Sequence, residues 1–484
     1  MVKNIFLQIS EHARQMYSKS QLLNFFNRKK IALFDNYLFL TYVCRLVFCK
    51  AGWWIRHQKY FKSLINRTYV PFFIVLCHVV YLIFASPVVV FSQTESVHPA
   101  ITNKLKLAGF ENLLIQTKSD TLTVFMENRR YRFDPRGLAE AAIIILNEVN
   151  GGSAEKLQIV LLQDKVSMVQ VVMPMDIVEN SAKGLVSDSA LIKLLYVSMD
   201  APQLPHKTPV ANSSLYKVDL PVLLTWNAKF GNFDNPVESN INVIPELNST
   251  LAKGLTFKAQ LIIPVQNDFF FVSERETIRP CNITLNQFAS LADNFYINIT
   301  AGTFNKNRAG GNIELKKLLA EGRVGLGANV GYTRYYSFTG IETEFYDQQP
   351  YLTALFTAEY RYNPYDLTAR IQVGNFLFNT PAIRFELMRQ FGEVKIGFMA
   401  LATKEDFDGG FRFVIPLPPR KYTRIKYFRI RPADNFAWEY RAKGFPQNGV
   451  TYNTGYNLTD MLLDYNPNFI KKRLIIEFKT QLNK

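Results

Sequence analysis

From Leu220 onward, apolar and polar residues alternate with a period of two, the spacing of a strand whose two faces meet different surroundings. Val324, Leu326, Ala328, Val330 and Tyr332 alternate with Arg323, Gly325, Gly327, Asn329, Gly331 and Thr333. Leu352, Ala354, Phe356, Ala358, Tyr360 and Tyr362 alternate with Thr353, Thr357, Glu359 and Arg361. The same order holds in Leu255–Ile263, Phe295–Ala301, Leu367–Val373, Ile383–Leu387 and Val394–Ala400. Such spans approach the roughly 9–11 residues with which a tilted strand crosses a bilayer. A soluble β-sandwich alternates too, but here Tyr335, Tyr336, Tyr360 and Tyr362 gather at segment ends as an interfacial girdle would. The polar faces are small and charged. The pattern predicts a mainly β chain, a transmembrane antiparallel β-barrel of roughly 12 strands over 218–484. Leu474, Ile476 and Phe478 supply its last strand. Closure would also remove the edges that so much β-structure otherwise exposes.

Ahead of this region the period differs. Asn112–Gln116 and Thr121–Phe125 read as short strands, as do Leu157–Leu162 and Ser167–Val172. Between them, Asp134 and Pro135 mark a helix start, with Asp134 as N-cap. Leu138, Ala142, Ile145, Leu146 and Val149 then fall on one helical stripe, and Asn150-Gly151-Gly152 stops it. A small α/β (β-β-α-β-β) domain over 104–175 results, followed by a linker over 176–217. Arg129, Arg130, Tyr131 and Arg132 read as a solvated hairpin edge rather than a ligand site.

Residues 1–92 form a third part. Val70–Phe91 is almost wholly apolar, basic residues precede it, and Val90 and Ser92 are small residues before Gln93. This is the layout of a secretory signal, with a membrane anchor as the competing reading. The expected location is the cell outer membrane, with the α/β domain in the periplasm. Charge becomes informative only after this division. The chain carries +16, from 56 Lys and Arg against 40 Asp and Glu. Residues 1–92 hold 12 basic and 2 acidic residues, leaving 44 − 38 = +6 for the rest. That argues against a nucleic-acid partner. Of four cysteines only Cys281 follows the apolar run, so the remainder forms no internal disulfide.

Candidate chemistry is sparse. No catalytic residue, cofactor or metal site is assigned, and an enzymatic role is not expected. Beyond residue 92 the histidines are His98 and His206, without companion spacing. No Gly-x-Ser-x-Gly elbow is present. Asp406-Phe407-Asp408-Gly409-Gly410 reads as a loop tip rather than a cation site. The stronger signal is basic: Lys258, Arg323, Arg361, Arg370, Arg384, Lys395 and Arg412 share the polar face with Glu359 and Glu386. Lining a lumen, they would contact an anionic polymer; alternatively they pair with acids and plug a small barrel. A second run, Arg420, Lys421, Arg424, Lys426, Arg429 and Arg431, reads as a loop meeting lipopolysaccharide phosphates or polymer, or as a solvated hairpin.

Several stretches carry a family resemblance. They are Thr300-Ala301-Gly302 to Gly310-Gly311, then Gly325-Leu326-Gly327-Ala328 with Tyr332, and Arg370 to Phe376 with Gly374. Phe391-Gly392 to Ala402 follows, then Gly409-Gly410-Phe411-Arg412-Phe413 with Ile415-Pro416-Leu417. Over about 290–420 the chain resembles the YjbH-like family of exopolysaccharide biosynthesis proteins. The resemblance implies an outer-membrane barrel serving exopolysaccharide or capsule export. Implied partners are outer-membrane lipid, a polysaccharide and components of the secretion apparatus. Longer members hold two barrels in tandem, whereas this chain has room for one. The alternatives are an outer-membrane barrel enzyme acting on lipid or glycan, and a structural or porin-like barrel.

Overall fold

A computed structural model describes residues 98–149, 154–177, 180, 187–205, 208–231, 236–268, 277–339, 342–345, 350–423, 428–442 and 449–482. The apolar segment Val70–Phe91, His206, the Asn150-Gly151-Gly152 stop, Arg424 and Lys426 lie outside the described residues.

The first part is a five-stranded sheet in the order β1-β2-β3-β4-β5. Its strands are β1 (Glu111–Lys118), β2 (Thr121–Glu127), β3 (Lys156–Gln163), β4 (Val166–Pro174) and β5 (Tyr196–Ser198). β2 and β3 are parallel, because the helix α2 (Asp134–Glu148) crosses between them. The other pairings are antiparallel. Helix α1 (Pro99–Ala108) precedes β1, and α3 (Asp188–Leu194) precedes β5. The expected linker therefore contributes a helix and the edge strand of this sheet. Phe133, not Asp134, occupies the N-cap of α2. Leu138, Ala142 and Ile145 of α2 are buried with Leu157, Ile159 and Leu161 of β3. Each large side chain withdrawn from water in this way contributes about 1.5–3 kcal/mol. The opposite sheet face is covered by Ala201 and Leu204 against Phe125, Val160 and Leu162.

The second part is a 15-stranded sheet, more strands than the alternation predicted. It comprises β6 (Val218–Phe230), β7 (Val237–Ala252), β8 (Leu255–Asn267), β9 (Arg279–Leu291) and β10 (Phe295–Phe304). Then come β11 (Arg308–Leu319), β12 (Val324–Thr339), β13 (Glu342–Phe345), β14 (Tyr351–Tyr362) and β15 (Leu367–Phe376). β16 (Thr380–Phe391), β17 (Val394–Thr403), β18 (Phe407–Pro416), β19 (Phe428–Pro432) and β20 (Asn435–Arg441) complete it. Neighbours in sequence pair antiparallel from β6 to β18, with β13 attached only to β12. The path begins at β19 and finishes at β20, and strand pairing does not close it into a ring.

Its two ends nevertheless meet. β20 pairs antiparallel with β18, while β19 pairs parallel with β6. Ala433, between β19 and β20, donates its N–H to the Val222 carbonyl at 2.9 Å. Trp226 of β6 stacks on Trp438 of β20 with ring centroids 5.1 Å apart. Arg429 and Arg431 of β19 both bond Asp219 of β6, at 2.6 and 3.0 Å. Within the second basic run, Arg429 and Arg431 thus tie the sheet's ends together, whereas Arg420 and Lys421 are exposed where the chain passes Tyr131 and Arg132.

The expected last strand is a helix. α4 (Leu458–Asp464) and α5 (Pro467–Leu482) end the described chain. Ile470, Leu474 and Phe478 are buried with Leu138, Ala142 and Ile145 in one core, whereas Ile476 is exposed. The two-residue alternation of Leu474, Ile476 and Phe478 is incidental to a four-residue stripe that α5 lays against the α/β domain. Among the described residues, no helix is long and apolar enough to cross a membrane.

Candidate functional site

The large sheet distributes its residues in the reverse of a water-soluble fold. Thr357, Glu359 and Arg361 on β14 are buried, while Phe356, Tyr360 and Tyr362 beside them are exposed. On β11, Asn312, Glu314 and Lys316 are buried and Ile313 is exposed. Lys316 is 1% exposed, whereas Phe398 on β17 is 66% exposed. Burying charge is costly unless each charge is paired and hydrogen-bonded. The interior contents show how this is achieved.

Residues 449–466 run along the concave face, touching strands from β8 to β18. The Leu377 N–H bonds the Val450 carbonyl at 3.1 Å, at the end of the sheet away from the α/β domain. The Tyr452 ring stacks on Phe304 at 5.3 Å, and its hydroxyl donates to Asn312 Oδ1 at 2.9 Å. Gly331 makes room for that hydroxyl: a Cβ built there would lie 1.5 Å from it. The Tyr456 hydroxyl bonds Thr256. The Leu458 N–H donates to Glu314 at 2.9 Å. Asn457 caps α4 through its side chain, accepting from the Asp460 N–H at 3.0 Å.

Asp460 is the hub. Arg370 donates to its Oδ1 at 3.0 Å and Arg412 to its Oδ2 at 2.6 Å. Arg370 reaches Glu386 at 2.8 Å and also bonds Glu359, which Lys316 pairs in turn. Lower down, Asp464 accepts from Gln390 at 2.8 Å and from Lys395 at 2.9 Å. Asn466 Nδ2 then donates to the Gly322 carbonyl at 3.1 Å.

The seven basic candidates can now be placed. Arg370, Arg384 and Arg412 gather around Glu386; Arg384 also pairs with Glu439 at 2.9 Å. Arg361 bonds Asp366 at 3.3 Å and Gln390 at 3.1 Å. Lys395 pairs with Asp464. Lys258 lies apart from these, 3.6 Å from Glu246, bonded to the Gly455 carbonyl and 4.2 Å from the Tyr456 ring centre. Arg323 is exposed in the turn before β12 and does not join them. Six of the seven are therefore engaged by acids, amides or the 449–466 segment. Sequence reasoning missed Asp460 and Asp464, which lie outside any alternating segment. The local signal was Asn457-x-x-Asp460, a helix-start spacing.

Arg129, Arg130, Tyr131 and Arg132 are not a solvated edge. Arg129 bonds Glu127 and Asp164, each at 2.7 Å, and Thr250 of β7 at 2.8 Å. Arg130 donates to the Tyr422 carbonyl, and Arg132 pairs with Glu393 at the β16–β17 turn. These side chains fasten the α/β domain to one end of the large sheet. Burial raises the Glu127 carboxyl above its usual range despite Arg129 beside it. Most turns at this end are short, as at Ala252–Leu255 and Phe391–Val394, but the β18–β19 connection, whose Leu417 and Tyr422 carbonyls accept from Arg132 and Arg130, is long. At the other end lie the connections after Asn267 and between β12 and β14. Of Asp406–Gly410 only Asp406 lies in the loop tip, since β18 begins at Phe407 and Asp408 pairs with Arg441 at 2.8 Å. Tyr336 does not join an exposed girdle; it is buried, 3.4 Å from the Cys281 carbonyl. Among the described residues, no cluster of His, Cys, Asp or Glu is arranged to hold a metal.

The fold and site define a class: a large β-sheet with apolar outer face and ion-paired inner face, filled by a segment of its own chain. The family model described as exopolysaccharide biosynthesis protein YbjH matches residues 92–420. That is more than half of the 484 residues, and the chain belongs to the YjbH family of exopolysaccharide biosynthesis proteins. No curated protein matches the chain significantly. The match includes Gly302 and Gly374, whose φ angles are +141° and +150°. A Cβ at either would lie 2.0 Å from a carbonyl oxygen of the adjacent strand. Glycine is required there because any side chain would collide with that oxygen at a positive φ. β19, β20 and the interior segment follow the matched span.

Proposed function

We propose that this chain is a β-barrel of the bacterial outer membrane that takes part in exopolysaccharide export by binding or guiding the polymer. The observation that carries this reading is the inverted surface: exposed apolar side chains along the strands, with buried ion pairs behind them. In water that arrangement would leave a broad apolar surface exposed; in a bilayer it is the ordinary solution. The meeting of β19 and β20 with β6 supports closure, since lipid does not tolerate open sheet edges. The mostly short hairpin turns beside the α/β domain support placing that domain in the periplasm, where it would dock a component of the secretion apparatus.

The filled interior favours a guiding or docking role over a small-solute pore. Lys258, Arg370, Lys395 and Arg412, which bond 449–466, would meet an anionic polymer only when that segment withdraws, and Arg361 and Arg384 would have to exchange Asp366 and Glu439 for it. Arg323, already exposed, would meet it first. No covalent chemistry is assigned.

The test is membrane fractionation of cells expressing the full chain, followed by electrophoresis with and without boiling. An outer-membrane band whose mobility shifts on boiling is expected, together with lost polymer secretion in a deletion strain. A soluble band without a shift overturns the barrel, and normal secretion overturns the export role.

A further inference from the structure

A groove of about 430 Å³ opens where α5 passes the β14–β15 turn and the end of β16. Two guanidiniums enter it from different elements. Arg389 is exposed on the outer face of β16, on the same side as the exposed residues Phe385 and Phe391. Its guanidinium carbon lies 4.4 Å from the Phe391 ring centre and 5.5 Å from that of Tyr365. Arg473 comes from α5; its Nε is buried and makes no hydrogen bond. Its guanidinium carbon is 5.6 Å from the Phe469 ring centre. Lys472 adds a third cation, but it is occupied by the Asn363 carbonyl and by Asp366 at 3.6 Å. Asp366, the carboxylate lining the groove, is also claimed by Arg361 at 3.3 Å. Among the described residues, no carboxylate pairs with Arg389 or Arg473. Ile192, Ile475 and Ile476 give the groove an apolar wall.

We infer that this groove binds the phosphate headgroup of an anionic membrane phospholipid, with the acyl chains lying along the outer face of β15 and β16. The inference rests on the membrane reading above. Three observations converge on it. Arginine pairs with phosphate oxygens through two parallel hydrogen bonds, and two guanidiniums here lack an acid. Tyr362, Tyr365 and Phe391 are exposed around the rim, as aromatic side chains are at headgroup level. Above them Ile371, Val373, Ile383 and Phe385 continue an exposed apolar surface from the groove up the strands. A soluble phosphate would use the cations but leave that surface bare.

The experiment is native mass spectrometry of the full chain purified in neutral detergent. The probes are phosphatidylglycerol and, separately, glycerol 3-phosphate. The wild type is expected to keep phosphatidylglycerol. Arg389→Gln should reduce that retention about tenfold, the effect of losing one charge-assisted contact. Arg389→Gln/Arg473→Gln should abolish it, while Lys104→Ala, at an exposed position of α1, should not change it. Arg389 is exposed, so its single variant keeps the comparison valid should the double variant misfold. The boiling-dependent mobility shift is recorded on the same samples. An intact shift with equal lipid retention in wild type and Arg389→Gln overturns the groove alone. Equal retention of glycerol 3-phosphate overturns the lipid assignment in favour of a soluble phosphoester. Absence of the shift in wild type overturns the membrane reading and the lipid site with it.

Discussion

Trp226 and Trp438 stack at 5.1 Å with their planes 16° apart, and they belong to opposite ends of the large sheet. Phe230, Phe411, Phe413 and Tyr440 surround Trp438 at 5.4–6.5 Å. Here β6 and β20 approach through rings. Trp438→Ala should therefore loosen the junction by about 3 kcal/mol. A double-mutant cycle with Trp226→Ala should return a coupling of about 1 kcal/mol. Unfolding followed by the loss of heat-modifiable mobility checks both values; additive single effects would show that the stack does not join the ends.

Asp460 compensates two arginines from separate strands. Asp460→Ala removes that compensation and leaves Arg370 and Arg412 repelling each other across Glu386. A destabilisation of about 3–5 kcal/mol is expected, the cost of breaking a buried pair from one side. The segment 449–466 should also become accessible. Proteolysis at 449–457 in intact vesicles measures this, and unchanged resistance would remove Asp460 from the role of hub.

Gly331 offers a steric test that leaves every charge in place. Gly331→Val places a side chain where the Tyr452 hydroxyl lies, against the wall formed by Asn312 and Thr353. Tyr452 should be displaced, and ion conductance in planar bilayers should rise from the wild-type baseline. Tyr452→Ala in the same background should restore the packing of the strand while keeping the conductance.

A pH effect is expected at the junction of the α/β domain with the interior segment. Burial raises the Asp134 carboxyl from 3.8 to about 7, with the nearby Asp464 charge adding to the rise. The folded state then holds a proton that the unfolded chain has released. The stability this group contributes is fully present below about 4 and is lost as pH rises towards 7, since the unfolded state binds fewer protons at this carboxyl across that window. Thermal unfolding at pH 5 and pH 7.5 measures the slope, and Asp134→Asn should flatten it.

Much of this architecture was legible in the chain. The alternation in Val324–Thr333 and Leu352–Tyr362 marks strands because side chains point to opposite faces, and two surroundings impose two chemistries. The helix over 134–148 announced itself through Pro135 and the stripe Leu138–Ala142–Ile145. Residues 467–482 were misread because Leu474, Ile476 and Phe478 satisfy a strand period while Ile470, Leu474 and Phe478 satisfy a helical one. Only the neighbouring α2 decides between them. The basic face was visible residue by residue, but its neutralisation was not. Arg370 and Asp460 are 90 positions apart, and no local period links them. The same holds for Arg132 and Glu393, so the basic stretch 129–132 looked solvated until its distant acceptors were known.

The interior segment has a consequence for assembly. Its residues contact strands from both halves of the sheet, and α5 lies beyond it against the α/β domain. An α-helix with its side chains is about 10–12 Å across, and the space within the sheet is already occupied by charged side chains. Threading α5 through after Trp226 and Trp438 have met would require that whole ionic array to be dismantled. The sheet must therefore wrap around the segment. Asp460 and Asp464 then serve as a mould that gathers the arginine-bearing strands, which without it would repel one another before the ends could join.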